Sequence, residues 1–394
     1  MQKRKSFAFI WLIIVSLFFS PVLPIANQLI NTWNKMFMHT ILIILFLLIF
    51  LIWNNSKKLK GWWYLMGFTI VSCILTNISI RDGIGSSLYN IKGFEPIVLF
   101  FVLSMFVFSQ IKSRKEVEQF TNTLPVFLII GLVVRLFSLV FQIGILNKNT
   151  FSFILDLIIP LAWMGFLNKK GKLWNILLFT SLIFLVLTDA RSALFSIAFV
   201  IIISFLSTQR ITIRNSLIFI IGVFLSITSL FIIPESILQR LVNSLDLQQF
   251  NAVTRFSMWN ESLELYFSHP LFGIGFSNFQ FYPNTYASWL TFATPNNNWV
   301  NVLMSTGSFG FLIYILSGVY ILKLLFESIK RKDEQFQWII VGILLGIIAI
   351  SIHSFFDDTL FYSESLIILS ILVGLSFRCF EILKKESLII KDKI

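Results

Sequence analysis

Long apolar runs, each close to the length that crosses a hydrocarbon core, alternate with short polar breaks along almost the whole chain. Crossing takes roughly 20 apolar residues in a helix. On that measure twelve transmembrane helices are predicted, at about residues 7–26, 36–53, 62–80, 96–111, 125–146, 150–168, 174–188, 190–206, 216–234, 304–326, 338–354 and 362–380. The seventh and eighth nearly touch at Thr188–Arg191. One connection departs from the pattern: residues 235–299 form a long loop between the ninth and tenth runs, and connections of that length are usually functional. From Thr254 onward, Phe256, Trp259, Leu263 and Phe267 recur at intervals of three and four, with Glu261 and Glu264 elsewhere on the wheel. That spacing predicts an amphipathic helix suited to a membrane surface. His269-Pro270 ends it, because proline disfavours helix at the residue before it. Gly273 and Gly275 then permit a tight turn or a close backbone approach.

Composition strengthens the class. The chain is 57% hydrophobic and 13% charged, where a soluble domain carries roughly a quarter charged residues. The expectation is an all-α integral membrane protein, residues 1–394 forming a single polytopic domain. The net charge of +12 does not point to nucleic acid, because the basic residues sit in short clusters between apolar runs. With the N-terminus inside and the runs alternating, most of the 31 Lys and Arg fall on the inner side. Basic loops stay in the cytoplasm, so both termini are expected there and the long loop outside. The start of the chain, Lys3-Arg4-Lys5 and then the run from Phe7, resembles a signal peptide. Pro21 to Ala26 offers no small-x-small cleavage site, so an uncleaved first helix is expected. Cys73 and Cys379 fall inside apolar runs and read as small core residues, with no disulfide or metal site implied.

Candidate chemistry gathers at the outer side. Arg255 begins the amphipathic helix and reads either as an arginine snorkelling at the lipid interface or as a ligand for an anionic headgroup or phosphate. Arg191, in Thr188-Asp189-Ala190-Arg191-Ser192-Ala193, reads either as half of an Asp189–Arg191 turn that caps two helices or as a charge placed at the depth of a lipid diphosphate. Arg135 lies within the fifth run, where a charge is costly; it pairs with Asp156 in the sixth run or contacts substrate. His353 and Asp357 share one helical face if the eleventh helix persists through them. Two such ligands do not make a metal site, and a proton-transfer or sugar-hydroxyl role fits better. His39 reads as a membrane residue outside the chemistry.

These residues resemble a known family. Arg255-Phe256-Ser257-Met258-Trp259, followed by His269-Pro270-Leu271-Phe272-Gly273-Ile274-Gly275-Phe276, is similar in order to the Arg-x-x-x-Trp and Pro-Leu-x-Gly-x-Gly of the O-antigen ligase and Wzy-type polymerase superfamily. Ala190-Arg191-Ser192-Ala193 looks like its Ser-Arg-Gly segment. A further family segment, His-Asn-x-Tyr-Leu with Glu-x-Gly-x-x-Gly after it, reads here Asn296-Asn297-Asn298-Trp299-Val300 and Ser305-Thr306-Gly307-Ser308-Phe309-Gly310. The resemblance covers residues 180–320 at motif level.

The resemblance implies a GT-C-like architecture in a bacterial plasma membrane. It also implies glycosyl transfer outside that membrane, without metal or other cofactor, from a glycan on undecaprenyl diphosphate. The acceptor would be another lipid-linked repeat unit for a polymerase, or a lipid or protein for a ligase. The partners implied are the lipid bilayer, the lipid-linked oligosaccharide, and chain-length regulator and flippase proteins. Breaking a sugar–diphosphate bond develops negative charge on the leaving diphosphate, which arginine holds bidentately. Arg191 and Arg255 are therefore expected as leaving-group clamps. Asn296, Asn297 and His353 are expected at the acceptor. Arg135, Trp259, Gly273, Gly275, Asp189 and Asp357 are expected to bind substrate. The family histidine position falls on Asn296, which orients a hydroxyl but is no base near neutral pH. The base would then be His353, Asp357 or Asp189, or leaving-group stabilisation would carry the rate. A flippase or transporter is the rival class; repeat symmetry and helices broken at the midplane would mark it.

Overall fold

The computed structural model describes residues 59–80, 87–140, 148–188, 190–207, 250–282, 294–358 and 363–391. Among them the chain is helical, with no strand: α1 (Lys60–Ile80), α2 (Ser87–Gln110), α3 (Arg114–Val140), α4 (Lys148–Leu167), α5 (Lys172–Leu187), α6 (Arg191–Ser207), α7 (Phe250–Ser268), α8 (Asn298–Ile329), α9 (Glu334–His353) and α10 (Ser363–Lys391). Six of these, α1, α2, α3, α8, α9 and α10, are long and apolar enough to cross a membrane; α4, α5 and α6 carry shorter apolar stretches. The protein is thus a multi-pass membrane protein, helical among its described residues. Nine predicted runs fall on helices, and those at 7–26, 36–53 and 216–234 lie outside the described residues. The seventh and eighth runs are two helices, α5 and α6, divided at residues 188–190.

Several helices outrun their apolar cores. α2, α3 and α8 begin up to eleven residues before the predicted spans, and α10 continues to Lys391. Hydropathy sees only the part of a helix that lipid covers, whereas the hydrogen-bond ladder continues into polar sequence. Pro96, Pro125 and Pro160 sit inside α2, α3 and α4, which a packed membrane helix tolerates.

The packing forms two groups joined through α9 and α10. α4, α5, α6 and α9 pack together on one side; α1, α2, α8 and α10 pack on the other. Small residues set the closest approach. At Gly342 and Gly346 of α9, an added Cβ would stand 3.0 Å and 3.3 Å from the Leu161 and Leu157 Cα atoms of α4. With no hydrophobic drive between helices in lipid, such small-residue contacts let backbones approach and dispersion hold them. This contact fixes the level of Asp156, the neighbour of Leu157, against the end of α9.

α8 and α9 form an antiparallel pair whose two ends differ. Around the Ile329–Glu334 end, Arg114 pairs with Asp333 and with Glu386 at 3.7 Å, Arg331 donates to Ser387 at 2.6 Å, and Lys170 lies over the Trp338 ring. At the opposite end, Asn298 and His353 come together among uncharged polar groups and buried acids.

Candidate active site

The amphipathic helix forms as its spacing predicts. α7 runs from Phe250 and ends at Ser268, just before His269-Pro270. Phe256 and Phe267 are exposed, while Met258 and Ser262 are buried. Arg255 and Trp259, one turn apart, share a face. The Trp259 indole N–H donates to the Pro295 carbonyl at 3.0 Å, which holds the segment 294–298 against that face.

Beyond α7 the chain enters a break in α8. Gly307 has φ 62° and ψ −170° in the middle of this 32-residue helix. Ser308 N–H and Phe309 N–H, deprived of their helical acceptors, donate instead to the Pro270 and Leu271 carbonyls at 2.8 and 3.2 Å. The Met304 and Ser305 carbonyls accept from Ile274 and Gly275 at 3.0 and 2.8 Å. All four backbone groups freed by the break are therefore satisfied by residues 270–275, as a low-dielectric setting demands. Thr76 donates to the Phe272 carbonyl at 2.9 Å, and the Asn90 side chain accepts from Phe276 N–H at 3.0 Å. Gly273 and Gly275, at φ 69° and 88°, allow the contact: a Cβ on Gly273 would lie 2.5 Å from the Met304 oxygen. The close approach predicted for these glycines is to the α8 backbone at Gly273, and to the Ile80, Asn90 and Asn278 side chains at Gly275.

The start of α8 is built from three asparagines. Asn296 takes a left-handed conformation, φ 52°. Asn297 is the N-cap: its side-chain oxygen accepts from Trp299 and Val300 N–H at 2.9 and 3.1 Å, and its amide donates to the Phe355 carbonyl at 3.1 Å. Its side chain is thus engaged in ending and anchoring the helix. Asn298 N–H donates to the Ser354 carbonyl at 2.9 Å, and its amide donates to the Ser354 hydroxyl at 3.0 Å. Trp299 stacks on Phe355, centroids 5.5 Å apart. The 296–299 segment is thereby bolted to the turn that follows α9.

That turn corrects one expectation. α9 stops at His353, with Ser354 as its C-cap, so His353 and Asp357 do not share a helical face. His353 points into the bundle, fully buried. Its Nδ1 lies 2.5 Å from Asp156 Oδ2 on α4, and its Nε2 lies 2.7 Å from the Ser192 hydroxyl on α6. A neutral ring protonated at Nδ1 satisfies both: it donates to the carboxylate and accepts from the serine. Ser196 donates to the other Asp156 oxygen at 2.6 Å, and Phe153 stacks on the imidazole at 4.0 Å. Asp156 is thus held by His353 and Ser196. A pairing with Arg135 is not tested, because that side chain, like Asp189 and the side chain of Arg191, lies outside the described residues. Arg191 is the first residue of α6, adjacent to the Ser192 that His353 holds.

Asp357 and Asp358 are both buried. The Asp357 carboxylate accepts from the Asp358 N–H at 2.8 Å. Burial pushes the Asp358 carboxyl up to about 6; a hydrogen bond from Thr294 opposes the rise, Asp357 adds to it and Arg255 opposes it. Arg255 therefore lies within electrostatic reach of this acid. One neighbourhood collects Arg255 and Trp259 of α7, Thr294 to Asn298, and Asp357 and Asp358, with His353 and the start of α6 beside it. Ser192, Thr294 and Asp358 escaped the sequence reading. Nothing in local spacing marks them, and the Asp156–His353 contact joins residues 197 positions apart. Among the described residues, no group of His, Cys, Asp and Glu has the arrangement to hold a metal ion.

Residues 176–315 match the family model described as O-antigen ligase. The match spans α5 to the first half of α8, and includes Arg191, Arg255, Asn296, and the plug of residues 270–275 with Gly273 and Gly275. It thereby bears out the resemblance drawn from the ordered motifs. His353, Asp357 and Asp358 fall beyond it. No curated protein matches the chain.

Proposed function

We propose that the chain is a membrane glycosyltransferase, a surface-polysaccharide polymerase. It joins repeat units carried on undecaprenyl diphosphate at the outer face of the bacterial plasma membrane, as one domain with the 235–299 segment outside and both termini in the cytoplasm. The observation that carries this reading is the family match over the stretch that holds Arg191, Arg255 and the 294–298 segment. In the proposed reaction the acceptor hydroxyl attacks the anomeric carbon of the donor. The bond from that carbon to the diphosphate oxygen breaks, and the electron pair leaves with the diphosphate. Arg255 and Arg191 hold the charge that develops there, bidentately and without being able to lose their own. Asn296 orients the acceptor. His353, closed in by Asp156 and Ser192, acts by positioning the start of α6. The reaction uses no metal.

The ligase reading keeps one specific support, the description of the matched family; Asn296 and Ser305, where the family carries histidine and glutamate, favour the polymerase. The rival class loses ground on the break in α8. A discontinuous helix is a transporter trait where it lines a cavity, and here residues 270–275 fill it.

Cells carrying Arg255→Lys should make normal amounts of protein and lose long polymer. Removing one such charge-stabilising donor costs roughly 10²-fold or more in rate, and lysine lacks the fork. Normal polymer length in Arg255→Lys and Arg191→Lys together would remove the clamp. A deletion strain that still polymerises but leaves finished glycan unattached would favour the ligase.

A further inference from the structure

The turn after α9 leaves two buried acceptors unfinished. Asp358 is 7% exposed, and its Oδ2 has no hydrogen-bond partner among the described residues. Asn298 Oδ1, on the neighbouring first turn of α8, is in the same state, and the Asn298 N–H itself donates to the Asp357 carbonyl at 3.2 Å. Buried acceptors without donors are costly, typically about 1–3 kcal/mol each. Two of them, on segments that hydrogen-bond to each other, call for a ligand that brings hydroxyl groups. The charged groups acting on Asp358 are Arg255 from α7 and Asp357 from its own turn. The other acids and bases near the site are committed. Both nitrogens of His353 are taken. The Asp357 carboxylate accepts from the next backbone N–H. Asn296 has no useful basicity.

We propose that Asp358 is the general base of the transfer: its carboxylate takes the proton of the acceptor hydroxyl as that oxygen bonds to the anomeric carbon and the diphosphate departs toward Arg255. The assignment rests on the glycosyl-transfer reading above. Asn298 Oδ1 accepts from a neighbouring hydroxyl of the acceptor sugar, which defines the acceptor as a polyol end. A carboxylate whose proton affinity lies at about 6 suits the task, being ionised near neutrality yet more basic than an exposed aspartate. The sign for the rate follows: activity rises with pH as Asp358 ionises, and falls away below about 6. The sign for stability is opposite. The folded protein favours the protonated acid, so this stabilisation is complete below the ordinary 3.8 and is lost as pH rises through about 6.

The test uses the full-length protein in nanodiscs, with a diphosphate-linked polyprenyl repeat unit as donor and acceptor. Asp358→Asn should lower the transfer rate by roughly 10²–10⁴-fold while donor binding is unchanged, and Asp358→Glu should restore part of the rate. Thr294→Val, which removes a hydrogen bond to the ionised acid, should move the acidic limb of the pH–rate profile to higher pH. That shift would not follow from a merely structural role. Asp358→Asn active within threefold of wild type, or an acidic limb unmoved by Thr294→Val, would overturn the base assignment and leave the glycosyl-transfer reading standing. A wild-type protein that binds donor and forms no glycosidic bond at any pH would overturn both.

Discussion

Hydrogen bonds tie α8 to flanking segments near Gly307 and near Asn297, and the two junctions are built differently. At Gly307 the helix is broken, yet main chain alone repairs it: four backbone bonds join residues 304–309 to residues 270–275. At Asn297 the helix begins intact, capped by a side chain and tied to the turn after α9, and near it two buried oxygens, Asp358 Oδ2 and Asn298 Oδ1, have no hydrogen-bond partner among the described residues. A site that is complete within itself serves the fold. A site left incomplete under burial carries a cost that a further donor would relieve. The contrast separates the two glycine motifs that the sequence presents together with the polar ones.

The sharpest way to break the contrast is at the glycines. A Cβ at Gly273 would stand 2.5 Å from the Met304 oxygen, and one at Gly307 would stand 2.5 Å from the Leu271 oxygen. Gly273→Ala or Gly307→Ala should cost about 2–6 kcal/mol, adding about 1–3 for a left-handed alanine to about 1–3 for forced packing. Thermal unfolding in detergent checks it, and wild-type melting of both variants would contradict the plug. Next in size is the buried pair. His353→Phe strands the Asp156 carboxylate and should cost about 3–5 kcal/mol, most of which Asp156→Leu in the same molecule should recover. No recovery in that double variant would mean that the two residues act separately. The smallest effect is expected at the cap. Asn297→Ala should lower stability by about 0.5–2 kcal/mol, read as a modest drop in melting temperature, while transfer falls further because Asn296 and Thr294 lose their anchor. Transfer that falls no more than stability would place Asn297 outside the site's support.

Much of the fold was legible because lipid imposes a simple rule: an apolar run long enough to cross must be helical. α1, α5, α6 and α9 follow their predicted runs within a few residues. α7 was legible from its three-and-four spacing, and its stop from His269-Pro270. The start of α8 was not. Asn298 and Asn301 are polar, so hydropathy places the helix at residue 304 and hides both the cap and the break. The break leaves only a glycine as its trace, and its repair comes from residues some thirty positions earlier. The site was half legible. Arg255, Trp259, His353 and Asp357 stand out by type and position, and the structure brings them to one end of the bundle. Their roles were not legible, since these depend on where α9 stops. Only a helix that ran on through Asp357 would put it on one face with His353; α9 stops at His353, whose ring meets Asp156 of α4. Asp358 was passed over as the second of two adjacent aspartates; its hydrogen bond from Thr294 and its Oδ2 without a partner among the described residues are visible only in the fold.

The repair of α8 also bears on the order in which the protein is made. Residues 270–275 leave the ribosome before Met304 to Phe309, so the plug waits with unmatched carbonyls and amides until its receptor segment is synthesised. The full α8, with the partner helices α1 and α2 already in place through Thr76 and Asn90, is then the step that commits the 250–282 segment to its position. A nascent chain arrested before residue 304 should leave this segment open to protease, and one released after residue 310 should protect it. That pattern of protection would make the break in α8 a latch that closes late in assembly and carries Arg255 into place.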